Sequence, residues 1–383
     1  VSVGIDVVTI GCGPTPMLYF STYFLNTDGG VVITGSHNPP DYNGFKITMR
    51  GKPFFGEDIQ KLSKKIIEYN PKVIKGKKLK RKIDKDYVTR IMQNFVGNQK
   101  LIVVWDPGNG SAGEIVKELV KYLPGTHYVI NSEIDGNFPN HHPDPTKIEN
   151  LIQIKNKIKK NNADFGFAFD GDGDRLVVIN CNGEVISGDL LLLIFSESIL
   201  TSNPGASIIA DVKSSQVLFD EISTLGGNPI MYKTGHSNIK EKMYQTGALL
   251  AGEMSGHIFF ADKYYGYDDA IYAAIRFLSI FSSQPESLSE RIRRFPEIYN
   301  TPEIRFYCDD NKKFEVINEI RNRVLKTAFE VIDIDGLRVQ MENGWWLLRA
   351  SNTEPALVAR CEANSKDNLD EVLSFLSNEL SLS

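Results

Sequence analysis

Short apolar runs closed by glycine, proline or asparagine alternate along this chain with stretches of helical spacing. From the start, strands are predicted around Val3, Ile5, Val7 and Val8, at 29–34 and at 45–48, with helices over 17–24 and 57–70. A second stretch gives a strand at 100–105, a helix over 114–122, a helix capped by Thr146 and running to 160, and strands at 164–169 and 176–179. A third gives helices over 190–200, 239–246 and 270–281 around strands at 207–210, 229–232, 248–251 and 258–260. Strand, polar loop, helix is the order of α/β folds, and polar groups gather just past the strand ends, where open sheets bind ligands. After about residue 297 the style changes. Strands at 302–305, 331–334, 336–340, 345–349 and 356–362, with helices over 313–329 and 368–380, suit a small α+β unit with a mostly antiparallel sheet. Trp345 and Trp346 are neighbours in one strand and face opposite ways, one toward its own core and one toward packing between units.

A chain of 383 residues is too long for one ordinary core. The pattern divides it at 1–81, 82–184, 185–296 and 297–383, with short linkers, so the units should pack as one body around a shared cleft. A net charge of −5 excludes a broad basic surface for nucleic acid. No apolar run reaches membrane-spanning length. Cys12, Cys181, Cys308 and Cys361 are widely spaced in or beside apolar runs, which suggests free buried thiols and a reducing, cytoplasmic setting. No obligate protein partner is expected. Val1 is not a methionine, and the strand pattern opens in mid-unit.

The densest chemistry is Asp170-Gly171-Asp172-Gly173-Asp174-Arg175, between two apolar strands. Glycines let a tight loop turn alternate carboxylates toward one point. Hard oxygen ligands favour Mg²⁺ over zinc, and Val178 and Cys181 stand where a calcium loop would need further ligands. An acidic surface turn is the plainer alternative. Arg175 could hold a phosphate oxygen or tether a carboxylate.

Ser36 follows a strand and precedes His37, Asn38 and two prolines on an exposed loop, with Lys46 brought near by the return strand. No nucleophile elbow is present, so Ser36 is either a turn former or a serine that carries a phosphoryl group. The glycine-rich run at 106–113 reads as a strand-to-helix turn, and the adjacent His141 and His142 as loop anchors. Lys213, His236, Glu253, Ser255 and His257 sit at strand ends and suit hydroxyl recognition with an acid or base. Arg349, Ser351, Asn352 and Thr353 resemble a phosphate clasp.

Taken together, Thr34-Gly35-Ser36-His37-Asn38-Pro39, the Asp170–Arg175 loop, Gly252-Glu253-Met254-Ser255-Gly256-His257 and Arg349-Ala350-Ser351-Asn352-Thr353 make the chain resemble the α-D-phosphohexomutase family over essentially its whole length. The resemblance implies three related mixed-sheet α/β domains and a C-terminal TATA-binding-protein-like α+β domain around a central cleft. It implies Ser36 as phosphoserine, with Mg²⁺ held by its phosphate, Asp170, Asp172 and Asp174. Lys46, Arg175 and His37 would flank that phosphate, with His236 as a possible acid/base. Lys213, Glu253, Ser255 and His257 would meet the sugar, and Arg349, Ser351, Asn352 and Thr353 the non-reacting phosphate. The activity implied is interconversion of hexose 1- and 6-phosphates, mannose or glucose, through a hexose 1,6-bisphosphate. Family members open with a strand, a loop bearing tyrosine and arginine, and a helix, all ahead of the point where this sequence starts. The alternatives are a phosphoglucosamine mutase, weaker at Gly35 and Met254, or an inactive homologue that only binds sugar phosphates.

Overall fold

Three antiparallel hairpins set the architecture. Gly29–Ile33 returns as Phe45–Met49, Phe165–Phe169 as Leu176–Asn180, and Leu250–Gly252 as Ile258–Phe260. The computed structural model describes residues 1, 3–68, 75–351 and 354–381, without the side chains of 66–68. In the second and third hairpins the first strand also pairs in parallel with a buried central strand. These are Ile102–Asp106, flanked by Thr126–Val129, and Ser207–Asp211, flanked by Asn228–Tyr232. The short Val185–Ile186 completes the five-stranded sheet. Both sheets are mixed, as the α/β order implies. The first is simpler: Lys52–Phe54 extends its hairpin antiparallel, and Val7–Thr9 pairs in parallel with Lys78–Lys80 as a separate two-stranded sheet.

The second and third units share one apolar core. Helix Ala270–Ser282 is capped by Asp269, whose side chain accepts from Tyr272 N, and it carries Phe277 between them. That ring meets Phe167 edge-on at 5.7 Å and Phe195 at 6.3 Å. Aromatic edges against faces add to the burial itself.

Six strands form the C-terminal sheet, and every pairing in it is antiparallel. Helices Lys313–Val324 and Lys366–Ser381 cover it. Trp346 lies in its core, while Trp345 packs on Val212 and Met231 of the third unit, as alternation along the strand requires.

Some expectations need correction. Thr146 caps no helix: its hydroxyl donates to Asp144 Oδ1 at 2.6 Å, and a 3₁₀ turn, Ile148–Leu151, precedes helix Ile152–Asn161. The helix expected over 313–329 ends at Val324, whose carbonyl accepts the Thr327 hydroxyl at 2.6 Å. Helix Glu57–Glu68 lies where expected, and the last two expected positions, 69–70, lie outside the described residues. All four thiols are free, but Cys12 and Cys181 are exposed, because both sit in bends or turns rather than inside strands. No described helix is long and apolar enough to cross a membrane.

Candidate active site

Ser36 occupies a backbone conformation that side chains rarely adopt, with φ of +52°. Neighbouring loops hold it there. Thr34 Oγ1 accepts from Ser36 N at 2.8 Å, and His142 Nε2–H donates to His37 O at 2.5 Å. A Cβ on Gly171 would lie 2.2 Å from Ser36 O, so only glycine lets the second hairpin approach this closely. The Ser36 hydroxyl then donates to Asp170 Oδ2 at 2.8 Å, with His37 Nδ1 3.1 Å away.

The three aspartates converge as the spacing suggested. Their ligand oxygens lie within 4.8 Å of one another, and all three residues are buried. Asp170 Oδ1 accepts from the backbone of Asp174 and Arg175, closing the loop on itself. Asp172 Oδ2 accepts from Thr15 Oγ1 at 2.6 Å, Thr34 Oγ1 at 3.1 Å and Lys46 Nζ at 2.7 Å. Lys46 also reaches Asp174 Oδ2 at 2.5 Å. Asp172 Oδ1 and Asp174 Oδ1 are buried without a hydrogen-bond partner. Buried carboxylate oxygens left bare are costly, and a hard divalent cation is the group that would satisfy them. The donor set therefore fits Mg²⁺.

Electrostatics agree with a site short of positive charge. Burial, then the charges of Asp174 and Asp172, push the Asp170 carboxyl well above its usual range. Burial would lower Lys46, but Asp172 and Asp174 outweigh it and hold the ammonium firmly charged. Burial, aided by Arg175, lowers His37 to about 4, so this ring is neutral beside Ser36.

The third hairpin meets the second through backbone. Leu176 N donates to Gly256 O at 3.0 Å, and Arg175 and His257 form a β-bridge. Arg175 Nε donates to His257 Nε2 at 3.0 Å. Glu253 is buried, accepts from Gly235 N at 2.6 Å, and has its carboxyl pKa raised by burial. Ser255 is half-buried in the same loop. His236 is the first residue of helix His236–Thr246, and its ring stacks on that of His257 at 5.4 Å.

A second group sits where the third unit meets the C-terminal sheet. Lys213 Nζ pairs with Glu303 Oε1 at 3.0 Å. Arg349 pairs with Asp335 Oδ2 at 3.1 Å, an oxygen that also accepts from Thr234 N. Ser351 Oγ accepts from Glu354 N at 3.2 Å, and Asn352 and Thr353 lie outside the described residues.

Sequence reasoning passed over several partners in the cleft. Thr15 carried no signal beyond being a hydroxyl near a turn, and Thr34 entered only as part of the Ser36 motif, with no role of its own. His141 and His142 are loop anchors as read, His141 on Asp106 and His142 on the Ser36 loop. The glycine-rich run is a strand-to-helix turn as read, and it props the aspartate loop: Ser111 N and Oγ both donate to Gly171 O. Asp268, in contact with His236 and His257, and Lys240, paired with Asp268 and in contact with His236, were missed because nothing local marks them.

Models of the four phosphoglucomutase/phosphomannomutase domains match the chain in order: domain I over 1–72, domain II over 85–183, domain III over 187–299 and the C-terminal domain over 303–378. The chain is 43% identical over 380 residues to a phosphomannomutase/phosphoglucomutase of Pseudomonas aeruginosa, covering 99% of this chain and 82% of that protein. It is 43% identical over 375 residues to a phosphoglucomutase of Neisseria gonorrhoeae, covering 96% and 81%. The crystal structure of a phosphoglucomutase/phosphomannomutase family protein from Burkholderia thailandensis superposes with a TM-score of 0.92 at 40% identity, covering all of this chain and 84% of that one.

Proposed function

The chain belongs to the phosphoglucomutase/phosphomannomutase family and is a phosphohexomutase, and on that premise we propose how its residues run the reaction. Ser36 carries the phosphoryl group that is given to one end of a hexose monophosphate and taken back from the other end of the resulting 1,6-bisphosphate. The observation that carries this assignment is the Ser36 hydroxyl, held on a left-handed backbone and bonded to Asp170 at the edge of the three-aspartate cluster.

Asp170, Asp172 and Asp174 would hold Mg²⁺, which when bound offsets charge on the transferring group. Lys46 and Arg175 bring two permanent cations to the same phosphoryl group. His37 stays neutral beside it and orients the hydroxyl. Glu253 and Ser255 bind sugar hydroxyls, and the raised carboxyl of Glu253 suits a hydrogen bond to them. His257 serves the same sugar pocket, and His236 supplies the acid or base at the reacting hydroxyl. Lys213 meets the substrate from the sugar pocket, and Arg349 and Ser351, with Asn352 and Thr353, hold the phosphate that does not react. Closure of the C-terminal unit over the cleft would exclude water from Ser36. Mannose and glucose phosphates are the substrates this reading favours. The units divide at 1–81, 82–184, 185–296 and 297–383, and four free thiols suit the cytoplasm.

The deciding experiment incubates purified chain with mannose 1-phosphate or glucose 1-phosphate, Mg²⁺ and a trace of the 1,6-bisphosphate. Formation of the 6-phosphate that vanishes in Ser36→Ala is the expected result. Turnover unchanged in Ser36→Ala would overturn the assignment.

A further inference from the structure

Two successive backbone amides, just ahead of helix His236–Thr246, are taken by carboxylates from different units. Gly235 N donates to Glu253 Oε1 at 2.6 Å, within the third unit. Thr234 N donates to Asp335 Oδ2 at 3.1 Å, across to the C-terminal sheet. Asp335 in turn faces Arg349 Nη2 with both oxygens, Oδ2 at 3.1 Å and Oδ1 at 3.4 Å. One carboxylate thus joins the arginine proposed to hold phosphate to the loop whose next amide holds Glu253.

Glycine makes the junction possible. Asp335 lies in the bend between strands Glu330–Ile332 and Leu337–Met341, and Gly336 follows it with φ of +85°. A Cβ on Gly336 would lie 2.5 Å from Leu348 O and 2.6 Å from Arg349 Cβ, so only glycine lets the bend lie against Arg349. Arg349 is buried, and its Nε has no acceptor. Asp335 therefore orients the guanidinium without saturating it, and donors remain for an anion. Inside its own unit the loop is tied by Asn238 Nδ2, which donates to Thr234 O at 2.9 Å. The two amides are one residue apart, so displacing the first tilts the second.

We propose that Asp335 is a positioning residue that couples the phosphate clasp to the sugar-reading loop, so that both ends of a hexose phosphate are recognised jointly. A phosphate that orders Arg349 sets Asp335, Asp335 sets Thr234, and the Gly235 amide then holds Glu253 toward a ring hydroxyl. A ligand with the wrong span between phosphate and hydroxyls gives up both contacts instead of one. Asp335 touches no substrate; it acts through Arg349 and Thr234. The inference rests on the assignment of Arg349 to the phosphate and Glu253 to the sugar.

The test is titration calorimetry of glucose 1-phosphate into the full-length chain carrying Ser36→Ala, so that no phosphoryl group is transferred. Arg349→Met and Glu253→Gln are added singly and together, with Asp335 present and with Asp335→Ala. Independent sites multiply their losses to within about twofold in Kd, and coupled sites depart by more. With Asp335 present, the double variant should lose about three- to tenfold less affinity than the product of the single losses. With Asp335→Ala the losses should multiply to within about twofold, and Asp335→Ala by itself should weaken binding. Coupling that survives Asp335→Ala would overturn the proposal, as a purely structural Asp335 would lower the unfolding midpoint and leave the coupling unchanged. Tighter binding in Asp335→Ala would overturn it too, since the carboxylate would then be competing with phosphate. If Asp335→Ala does not fold, Asp335→Asn decides: it keeps an acceptor for Thr234 N but no charge for Arg349, and should shrink the coupling. Single substitutions that leave the affinity unchanged would remove the roles given to Arg349 and Glu253, and this inference with them. Full single losses without coupling through Asp335 would count against this inference only.

Discussion

The guanidinium of Arg338 lies 3.7 Å from the centroid of the Trp345 indole, and the two together pin the C-terminal sheet to the third unit. Arg338 Nη1 donates to Val212 O and Ser214 O at 2.7 Å each, and Nη2 to Gln216 Oε1 at 3.1 Å. Trp345 Nε1 donates to Glu362 Oε1, which also accepts from Ser215 Oγ and Gln216 N. Burial lowers the Arg338 pKa to about 10, which still leaves it charged. Arg338→Met keeps the bulk and strands two buried carbonyls. It should cost about 1–3 kcal/mol for each carbonyl left without a donor, and loosen the C-terminal unit. Denaturant unfolding should show an early transition, and small-angle scattering a larger radius. A single transition at the wild-type midpoint would refute it.

Gly171 is where the second hairpin touches the Ser36 loop. A Cβ there would meet the Ser36 carbonyl at 2.2 Å, and the obstacle is backbone that cannot rotate away. Gly171→Ala should push Ser36 off the aspartate cluster and lower kcat/KM at least about 10²-fold, the scale reached by a 1 Å misplacement. Gly183→Ala is the control, since its Cβ would meet nothing within 4 Å. Its positive φ makes it strained in backbone alone, so stability should fall slightly and kcat should hold.

What could be read from the chain and what could not separate along physical lines. The aspartate loop was legible because the spacing itself states the chemistry: alternate carboxylates over glycines have few uses. The two tryptophans were legible because alternation in a strand fixes opposite faces. Asp268, Lys240, Thr15 and Glu303 were not, since each has a charged or hydrogen-bonded partner at least 28 residues away that nothing local announces. Thr146 misled because a hydroxyl before a helical pattern has two competing uses, and the nearby Asp144 carboxylate took it. The exposed thiols of Cys12 and Cys181 were misjudged because apolar neighbours in sequence do not bury a residue that sits in a turn.

The His127 pair with Trp105 sets a sign for acid stability. Trp105 Nε1 donates to His127 Nδ1 at 3.1 Å, and Nε2–H then faces Pro124 O. Burial lowers the His127 pKa below its ordinary 6.5. As pH falls through 6.5, the unfolded chain gains a proton that the folded chain refuses, so the stability present above 6.5 is lost. His141 runs the other way: burial lowers it, but Asp106 outweighs burial and raises it. His127→Phe should therefore lose less stability than wild type between pH 7.5 and 5.5, by at most about 1 kcal/mol given the scale of one pKa unit. Urea midpoints at both values check it, and identical slopes would be the contrary result.

Three buried carboxylates facing one close lysine ammonium should make the fold sensitive to divalent cations. Adding Mg²⁺ to chelator-treated protein should raise the midpoint of thermal unfolding, by about 2.7 kcal/mol of stability at a hundredfold excess over Kd. Asp172→Asn should weaken that response, because its bare Oδ1 becomes part of a neutral amide. An equal response in the variant would remove Asp172 from the metal site.

Glu303 occupies the lysine proposed to meet substrate. Its Oε1 lies 3.0 Å from Lys213 Nζ, and although burial would raise its carboxyl, Lys213 outweighs that and holds it ionised. An incoming sugar phosphate must therefore replace one carboxylate with another anion, and the exchange subtracts from binding. Glu303 is partly open to solvent, so the pair is in the range of about 0.4–1 kcal/mol rather than that of a dry ion pair. Glu303→Gln should lower KM by about two- to fivefold on that scale, with kcat little changed, because the contact is broken before the chemical step in both proteins. A Glu303→Gln enzyme with raised KM would mean that Glu303 holds Lys213 in place for substrate instead of competing with it. The Lys213→Met variant separates the two cases: it should raise KM and make the Glu303 substitution silent.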